Sequence, residues 1–161
     1  MTEENNQAQA GDGPHFGIVR IYLKDVSFET PNSPEVFSQD FKPDIKLQLN
    51  TSVNKLDGEL FEVVLNVTVT SQQGDKTGFL VEVQQAGIFE LKGYDEEQKG
   101  PILGAYCPNT LYPFAREAIS NLVVKGGFPQ LLLSPINFDA LYTQKMQEAG
   151  AQAASSGQAA H

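Results

Sequence analysis

The stretch LFEVVLNVTVT, residues 60–70, decides the fold class of this chain. Apolar and polar side chains alternate along most of it, and a period of two is typical of a β-strand that buries one face. The side chains expected to face inward are Phe61, Val63, Leu65, Val67 and Val69. Clean alternation of this kind predicts an antiparallel sheet with one dry face and one wet face.

Three other segments carry the same signal. DIKLQLNTSV (44–53) and FLVEVQQAGIFEL (79–91) alternate in the same way, whereas HFGIVRIYLKDVSFET (15–30) changes the parity of its apolar positions twice. Such a slip indicates a bulge or bend, or a strand that is buried on both faces in its first half. The sequence therefore predicts four strands.

The second half of the chain changes to a helical period. NTLYPFAREAISNLVVKGG (109–127) has a wide apolar stripe, Pro113 near its first turn and two glycines as its stop. Asn137 is a candidate N-cap for a second helix, FDALYTQKMQEA. Strands followed by helices predict an α+β domain, a four-stranded antiparallel sheet with two helices packed on one face. We expect this domain to span residues 16–149, between a disordered lead (1–15) and a disordered tail (150–161).

Composition limits the classes of function that the chain can have. The chain of 161 residues carries a net charge of −9, from 20 acidic and 11 basic side chains. This charge argues against nucleic acid as a partner, since phosphate binding rests on Lys and Arg. A single cysteine excludes an internal disulfide and favours a reducing compartment. Because the N-terminus is polar and no apolar run is long enough to span a bilayer, we expect a soluble cytoplasmic protein that does not insert into membranes.

Residues that could carry out catalysis are few. The only histidines are His15 and His161, and Cys107 could act as a nucleophile only if His15 lay beside it. A buried structural cysteine is the more common role for such a residue. The carboxylates lie on predicted wet strand faces, where nothing would raise a pKa. We therefore expect no enzyme activity and no metal or other cofactor.

Apolar surface occurs in two unexpected places, a proline-rich loop and the second helix. The loop phenylalanines either pin the loop to its own domain or line a groove for an extended apolar chain, and the sequence leaves both interpretations open. The candidate groove residues are Phe37, Phe41 and Ile45, facing Phe138, Leu141, Tyr142 and Met146.

Five blocks of this sequence closely resemble the SecB family of bacterial protein-export chaperones. They are RIYLKDVSFETPNSP, EVVLNVTVT, VEVQQAGIFEL, LGAYCPNTLYPFARE and FPQLLLSPINFDALY, in that order, within a match from about Phe16 to Gly150. The resemblance implies a cytoplasmic homotetramer, a dimer of dimers, that binds unfolded precursor proteins and passes them to the SecA ATPase. It implies no cofactor and no catalysis. Within such a tetramer we expect the surplus apolar stripe of the first helix, at Ile119 and Val123, to meet another dimer.

The outward face of the first strand is the candidate surface for SecA. Parity places Asp25 and Glu29 on the wet side of the sheet together with Leu80 and Glu82. Leu80 is an apolar residue at an outward position, as expected where a flat contact needs some buried area within a charged frame. The resemblance matches these four positions to the surface on which SecB proteins receive SecA.

Two other classes of function remain as alternatives. A carrier of a small apolar ligand would use the same loop and helix but would need a closed cavity. A hydrolase would need a reactive Cys107 or a reactive carboxylate pair.

Overall fold

The computed structural model describes residues 13–158 and contains one antiparallel sheet. Its strands are β1 (His15–Glu29), β2 (Asp44–Lys55), β3 (Leu60–Gln73) and β4 (Lys76–Lys92), in the spatial order β1-β4-β3-β2. The predicted four-stranded antiparallel sheet in an α+β fold is thus confirmed. β1 and β2 are the two edges, so each pairs with only one neighbour within the described residues.

The core lies on the face of the sheet that the alternation predicts. In β3 the inward side chains are no more than 7% exposed, and they continue into the buried residues Phe79, Val81 and Val83 of β4. The opposite face is polar along most of its length. Val64 and Ala86, a directly paired couple on β3 and β4, are also buried there, so that face is partly covered.

Two bulges interrupt β1. The pairing with β4 shifts between Ile18 and Arg20 and again between Leu23 and Asp25. Each shift keeps the apolar residues on the helix side of the sheet, since Ile18 pairs with Phe89 and Val26 pairs with Val83, both of which are buried there. The parity slips in the sequence are therefore bulges, one of the two readings that the slip allowed.

The first helical region begins earlier than predicted. A short helix α1 (Glu96–Pro101) starts at Asp95, whose side chain accepts a hydrogen bond from the Gln98 backbone N–H at 2.8 Å. It continues through a π-helical turn (Ile102–Tyr106) into the long helix α2 (Cys107–Lys125). Pro113 therefore lies inside the helix and not in its first turn. The predicted stop is confirmed, because α2 ends at Lys125 with Gly126 as its C-cap, and Gly127 has φ 89°.

The last helix, α3 (Phe138–Gln158), follows an extended crossing. The Oδ1 of Asn137 accepts a hydrogen bond from the Ala140 backbone N–H at 3.0 Å, which confirms the predicted N-cap. Residues 150–158, expected to be disordered, continue this helix. The physical reason is that the segment is rich in alanine, which propagates a helix that has already been nucleated.

The expected N-terminal lead falls almost entirely on residues 1–12, which lie outside the described residues, and His15 is already the first residue of β1. Between residues 13 and 158, no helix is both long and apolar enough to cross a membrane.

Candidate functional site

A groove of about 460 Å³ lies between β2 and α3. From the strand come Leu49, Asn50, Thr51 and Val53, and from the helix come Phe138, Leu141, Tyr142, Gln144, Lys145, Met146 and Glu148, with Gly104 at the floor. Four of the seven residues expected in a groove are therefore brought together here, namely Phe138, Leu141, Tyr142 and Met146.

The groove is lined by both apolar side chains and polar ones, the latter including Gln144, Lys145 and Glu148 of α3. Leu141 is 42% exposed and Met146 is 49% exposed, although both are large apolar side chains. On the other side, β2 is an edge strand whose outer backbone groups are unpaired within residues 13–158. An extended chain could bury apolar side chains in this groove and form main-chain hydrogen bonds along the strand edge.

Two aromatic residues, one helical turn apart, fix α3 to the domain. Phe138 packs against Tyr112 of α2, with 5.5 Å between the ring centroids. The hydroxyl of Tyr112 donates a hydrogen bond to the Ser134 carbonyl at 2.6 Å, and burial raises the pKa of this phenol. The second residue, Tyr142, lies against Gly100 and Gly104.

The loop aromatics do not reach this groove. The rings of Phe37 and Phe41 lie 5.2 Å and 5.5 Å from the ring of Phe128, which itself packs on Phe79 at 5.0 Å. Ile45, at the start of β2, packs against the core and does not line the groove. For these three residues, the structure corrects the expected placement. Phe128 offers an aromatic surface beside both loop phenylalanines, while the Phe37 side chain remains 49% exposed.

The four residues of the candidate SecA surface do share one face of the sheet. Glu29 pairs directly with Leu80, and Glu82 pairs with Ser27, two residues along from Asp25 on the same face of β1. The three carboxylates are exposed and Leu80 is half-buried. None of the ion pairs found within residues 13–158 involves these acids. The result is an acidic surface on the side of the sheet opposite α2.

Ile119 and Val123 are not surface residues. Both are 0% exposed and belong to the core of the protomer, which corrects their expected role as contact residues of the tetramer. The physical reason is that α2 turns this part of its stripe onto its own sheet. The apolar residues that α2 exposes are Phe114 (45%) and Val124 (52%).

Cys107 does not have the character of a nucleophile. Its side chain is fully buried, and desolvation raises the pKa of the thiol to about 12. A reactive cysteine needs a lowered pKa and access to substrate. His15 is paired elsewhere, with its Nε2 3.6 Å from the Glu90 carboxylate.

Sequence reasoning missed three features around these surfaces. Leu49 and Val53 extend the alternation of β2, and this pattern could have placed them opposite the helix. Gly100 and Gly104 give a weak signal, two glycines four residues apart in a helical segment. The contact between Tyr22 and Glu62 has no signal in a single sequence, because it depends on which strands are neighbours.

Comparison with known proteins gives a consistent result. The family model described as "Preprotein translocase subunit SecB" matches residues 8–149. The chain is 54% identical over 156 residues to the protein-export protein SecB of Pseudomonas syringae pv. syringae, covering 93% of this chain and 96% of that protein. It is 51% identical over 160 residues to the protein of the same name from Azotobacter vinelandii, covering 98% of both chains.

One solved structure shares the fold. It is the Mycobacterium tuberculosis Rv1957 SecB-like chaperone in complex with a ChAD peptide from the Rv1956 HigA1 antitoxin, with a TM-score of 0.62 and 20% sequence identity. The similarity covers 75% of this chain and 87% of that one.

Proposed function

This chain belongs to the SecB family of protein-export chaperones, and from that premise we propose that it binds unfolded precursor proteins in the cytoplasm, keeps them competent for translocation and delivers them to the SecA motor. The observation that carries the client-binding part is the open apolar groove between β2 and α3. An unfolded chain exposes the apolar side chains and free main-chain groups that such a groove can bind, whereas a folded protein hides both.

Client recognition then rests on shape and apolar burial, and not on a sequence motif. Leu141 and Met146 offer exposed apolar area, and the related mycobacterial chaperone has been solved with a bound peptide. Binding of an unfolded segment should bury apolar surface and therefore show a negative heat-capacity change. The affinity for a folded precursor should be poor.

The proposed assembly is a homotetramer, a dimer of dimers. A single protomer leaves apolar side chains uncovered on the helix side of the edge strand β1, at Ile18, Leu23 and Val26, and on α2 at Phe114 and Val124. An unpaired edge beside exposed apolar residues is a surface that a second copy can cover. We assign these surfaces to contacts between protomers.

Delivery to SecA is proposed for the acidic face formed by Asp25, Glu29, Leu80 and Glu82. The support is that the three carboxylates are exposed and share one sheet face with a partly exposed leucine. Charges of this kind speed encounter with a basic partner and fix its orientation. This face lies on the opposite side of the sheet from α2, so SecA could bind while a client occupies the groove.

A carrier of a small apolar ligand is the alternative function. The groove has the volume of many ligand pockets. However, its apolar wall is exposed to solvent at Leu141 and Met146, whereas a compact ligand is held best in an enclosed cavity.

The test is a refolding experiment. A slowly folding secretory precursor is diluted from denaturant with and without the purified protein, and its return to the folded state is followed. We expect refolding to be held back at stoichiometric chaperone, and addition of the already folded precursor to produce no complex. Equal affinity for the folded and unfolded precursor would overturn the proposal. Tight binding of a small apolar probe, without binding of the unfolded precursor, would favour the carrier.

A further inference from the structure

The position of α3 depends on very few contacts. Among the described elements, α3 packs mainly against the π-helical turn Ile102–Tyr106, and residues 143–157 are all exposed. Phe138 fixes the first turn of the helix on Tyr112, and Tyr142 fixes the second turn. The groove wall beyond Tyr142, including Met146, therefore depends for its position mainly on these two side chains.

Tyr142 lies in a notch that only glycine leaves open. A Cβ atom added at Gly104 would lie 2.5 Å from both Cδ2 and Cε2 of the Tyr142 ring. A Cβ atom added at Gly100 would lie 2.6 Å from the Tyr142 hydroxyl oxygen and 3.8 Å from Cζ. The first pair of contacts involves the body of the ring, and the second involves only its far end.

Neither glycine is required by the local backbone. Both lie within the helical path from Glu96 to Tyr106, and neither has a positive φ. Glycine is a weaker helix former than alanine, so these two positions cost helix stability. What they provide is room for one aromatic ring.

We infer that the notch formed by Gly100 and Gly104 positions α3 through Tyr142, and so sets the width of the groove that holds the client. This inference rests on the proposed function, because it assigns a role within the same groove. Tyr142 acts here as a positioning residue for the apolar wall that follows it on α3.

The chain contains its own reporter for this geometry. It has two methionines, Met1 and Met146, and Met146 lies on the groove wall one helical turn beyond Tyr142. Labelling with methyl-carbon-13 methionine therefore gives one NMR signal from the groove and one from the N-terminus. A movement of α3 relative to β2 changes the surroundings of the Met146 methyl group.

The experiment compares glycine-to-alanine variants of the full-length protein. Gly104→Ala should displace the ring, shift the Met146 signal and weaken binding of an unfolded secretory precursor by about tenfold, the size expected of an overpacked contact. Gly150→Ala is the matched control on α3 itself, since nothing lies within 4 Å of a Cβ atom added there. It should leave both the signal and the affinity unchanged.

A double substitution separates positioning from general damage. Gly100→Ala meets the hydroxyl of Tyr142, so it should shift the Met146 signal and weaken binding when Tyr142 is present. In a Tyr142→Phe background the clashing atom is absent, and Gly100→Ala should then have no further effect. Gly104→Ala meets the ring, so Tyr142→Phe should not rescue it. A purely structural role would instead lower the melting temperature of every variant without this pattern of rescue.

Two results would overturn the inference. One is a folded Gly104→Ala protein with an unchanged Met146 signal and unchanged client affinity. The other is a Gly100→Ala effect of the same size with Phe at position 142. If Gly104→Ala does not fold, the test rests on the milder Gly100→Ala substitution, compared with Tyr and with Phe at position 142. Failure of the proposed function looks different, because the wild-type protein would then bind no unfolded precursor while the Met146 signal still reported the position of α3.

Discussion

The phenol of Tyr22 on β1 donates a hydrogen bond to the carboxylate of Glu62 on β3, across the intervening strand β4. Lys24 Nζ lies 2.9 Å from the Oε1 of Glu62, and Asn54 Nδ2 on β2 donates to the same oxygen at 3.0 Å. The Glu62 carboxylate on β3 thus connects side chains of β1 and β2. The hydrogen bonds from Tyr22, then Lys24 and Asn54, lower the pKa of Glu62 to about 2. Burial and the bonded Glu62 carboxylate raise the pKa of Tyr22 to about 12.

The first prediction is that this contact stabilises the fold in a pH-dependent way. Because the pKa of Glu62 is lower in the folded state, its contribution is present above the ordinary glutamate pKa of 4.5 and is lost as the pH falls towards about 2. Glu62→Gln should lower the free energy of unfolding at pH 7 by about 1–2 kcal/mol. Urea unfolding at fixed protein concentration measures it, with the exposed Glu59→Gln as the control. Equal stability of the two variants at pH 7 would contradict the prediction.

The second prediction divides the aromatic and apolar residues by location. Leu141→Ala removes exposed apolar surface from the groove and should weaken binding of an unfolded precursor by about 1 kcal/mol, roughly fivefold. Phe41→Ala removes a ring that packs on Phe128, so it should lower stability and leave client affinity nearly unchanged. Calorimetric titration and thermal unfolding of both variants check this. An equal loss of affinity in the two variants would place Phe41 in the binding surface after all.

The third prediction concerns assembly. Phe114→Gln and Val124→Gln change exposed residues of α2, so they should reduce the oligomer to smaller species while the protomer stays folded. Ile119→Gln places an amide in the core and should destabilise the protomer itself, by about 2 kcal/mol or more. Sedimentation velocity and circular dichroism distinguish the two outcomes. A stable monomer for the unmodified protein would refute the assembly itself.

The fourth prediction concerns the acidic face. Glu82→Lys should weaken binding to SecA and make the remaining affinity less sensitive to salt, while the complex with an unfolded precursor persists. Glu59→Lys makes the same change of charge in the β2–β3 turn and should leave SecA binding intact. Titration of SecA at two ionic strengths measures this. If Glu82→Lys bound SecA as tightly as the unmodified protein, the face would be an ordinary solvated surface.

The sheet could be predicted from sequence because its signal is local. In β3 the alternation alone predicts which side chains are buried, and in β1 the parity slips give the positions where the pairing with β4 shifts. The caps at Asn137 and Gly127 are equally local. Such features depend on the chemistry of a few adjacent residues, and a single sequence contains them.

The features that the sequence does not predict depend on contacts with residues that are distant along the chain. The stripe on α2 is wide, but the sequence does not say which part of it the protomer's own sheet covers. The prediction for Ile119 and Val123 is therefore wrong, since both lie in the core. The sequence allows Phe37 and Phe41 to face a client equally well, because it does not show that Phe128 lies beside them in the fold. The early start of the helical region was missed because α1 is short, polar and ends in Pro101.

The bulges of β1 make this strand tolerant of a change in length at specific positions. Val19 and Lys24 lie at the two pairing shifts and have no partner of their own on β4. Removal of Val19 would join Ile18 directly to Arg20, which already face opposite sides of the sheet, so the alternation would continue without error. Removal of Ile21 would instead move the side chains of one stretch of the strand to the opposite face of the sheet. Inherited deletions in this strand should therefore be tolerated at a bulge and eliminated by selection between the bulges.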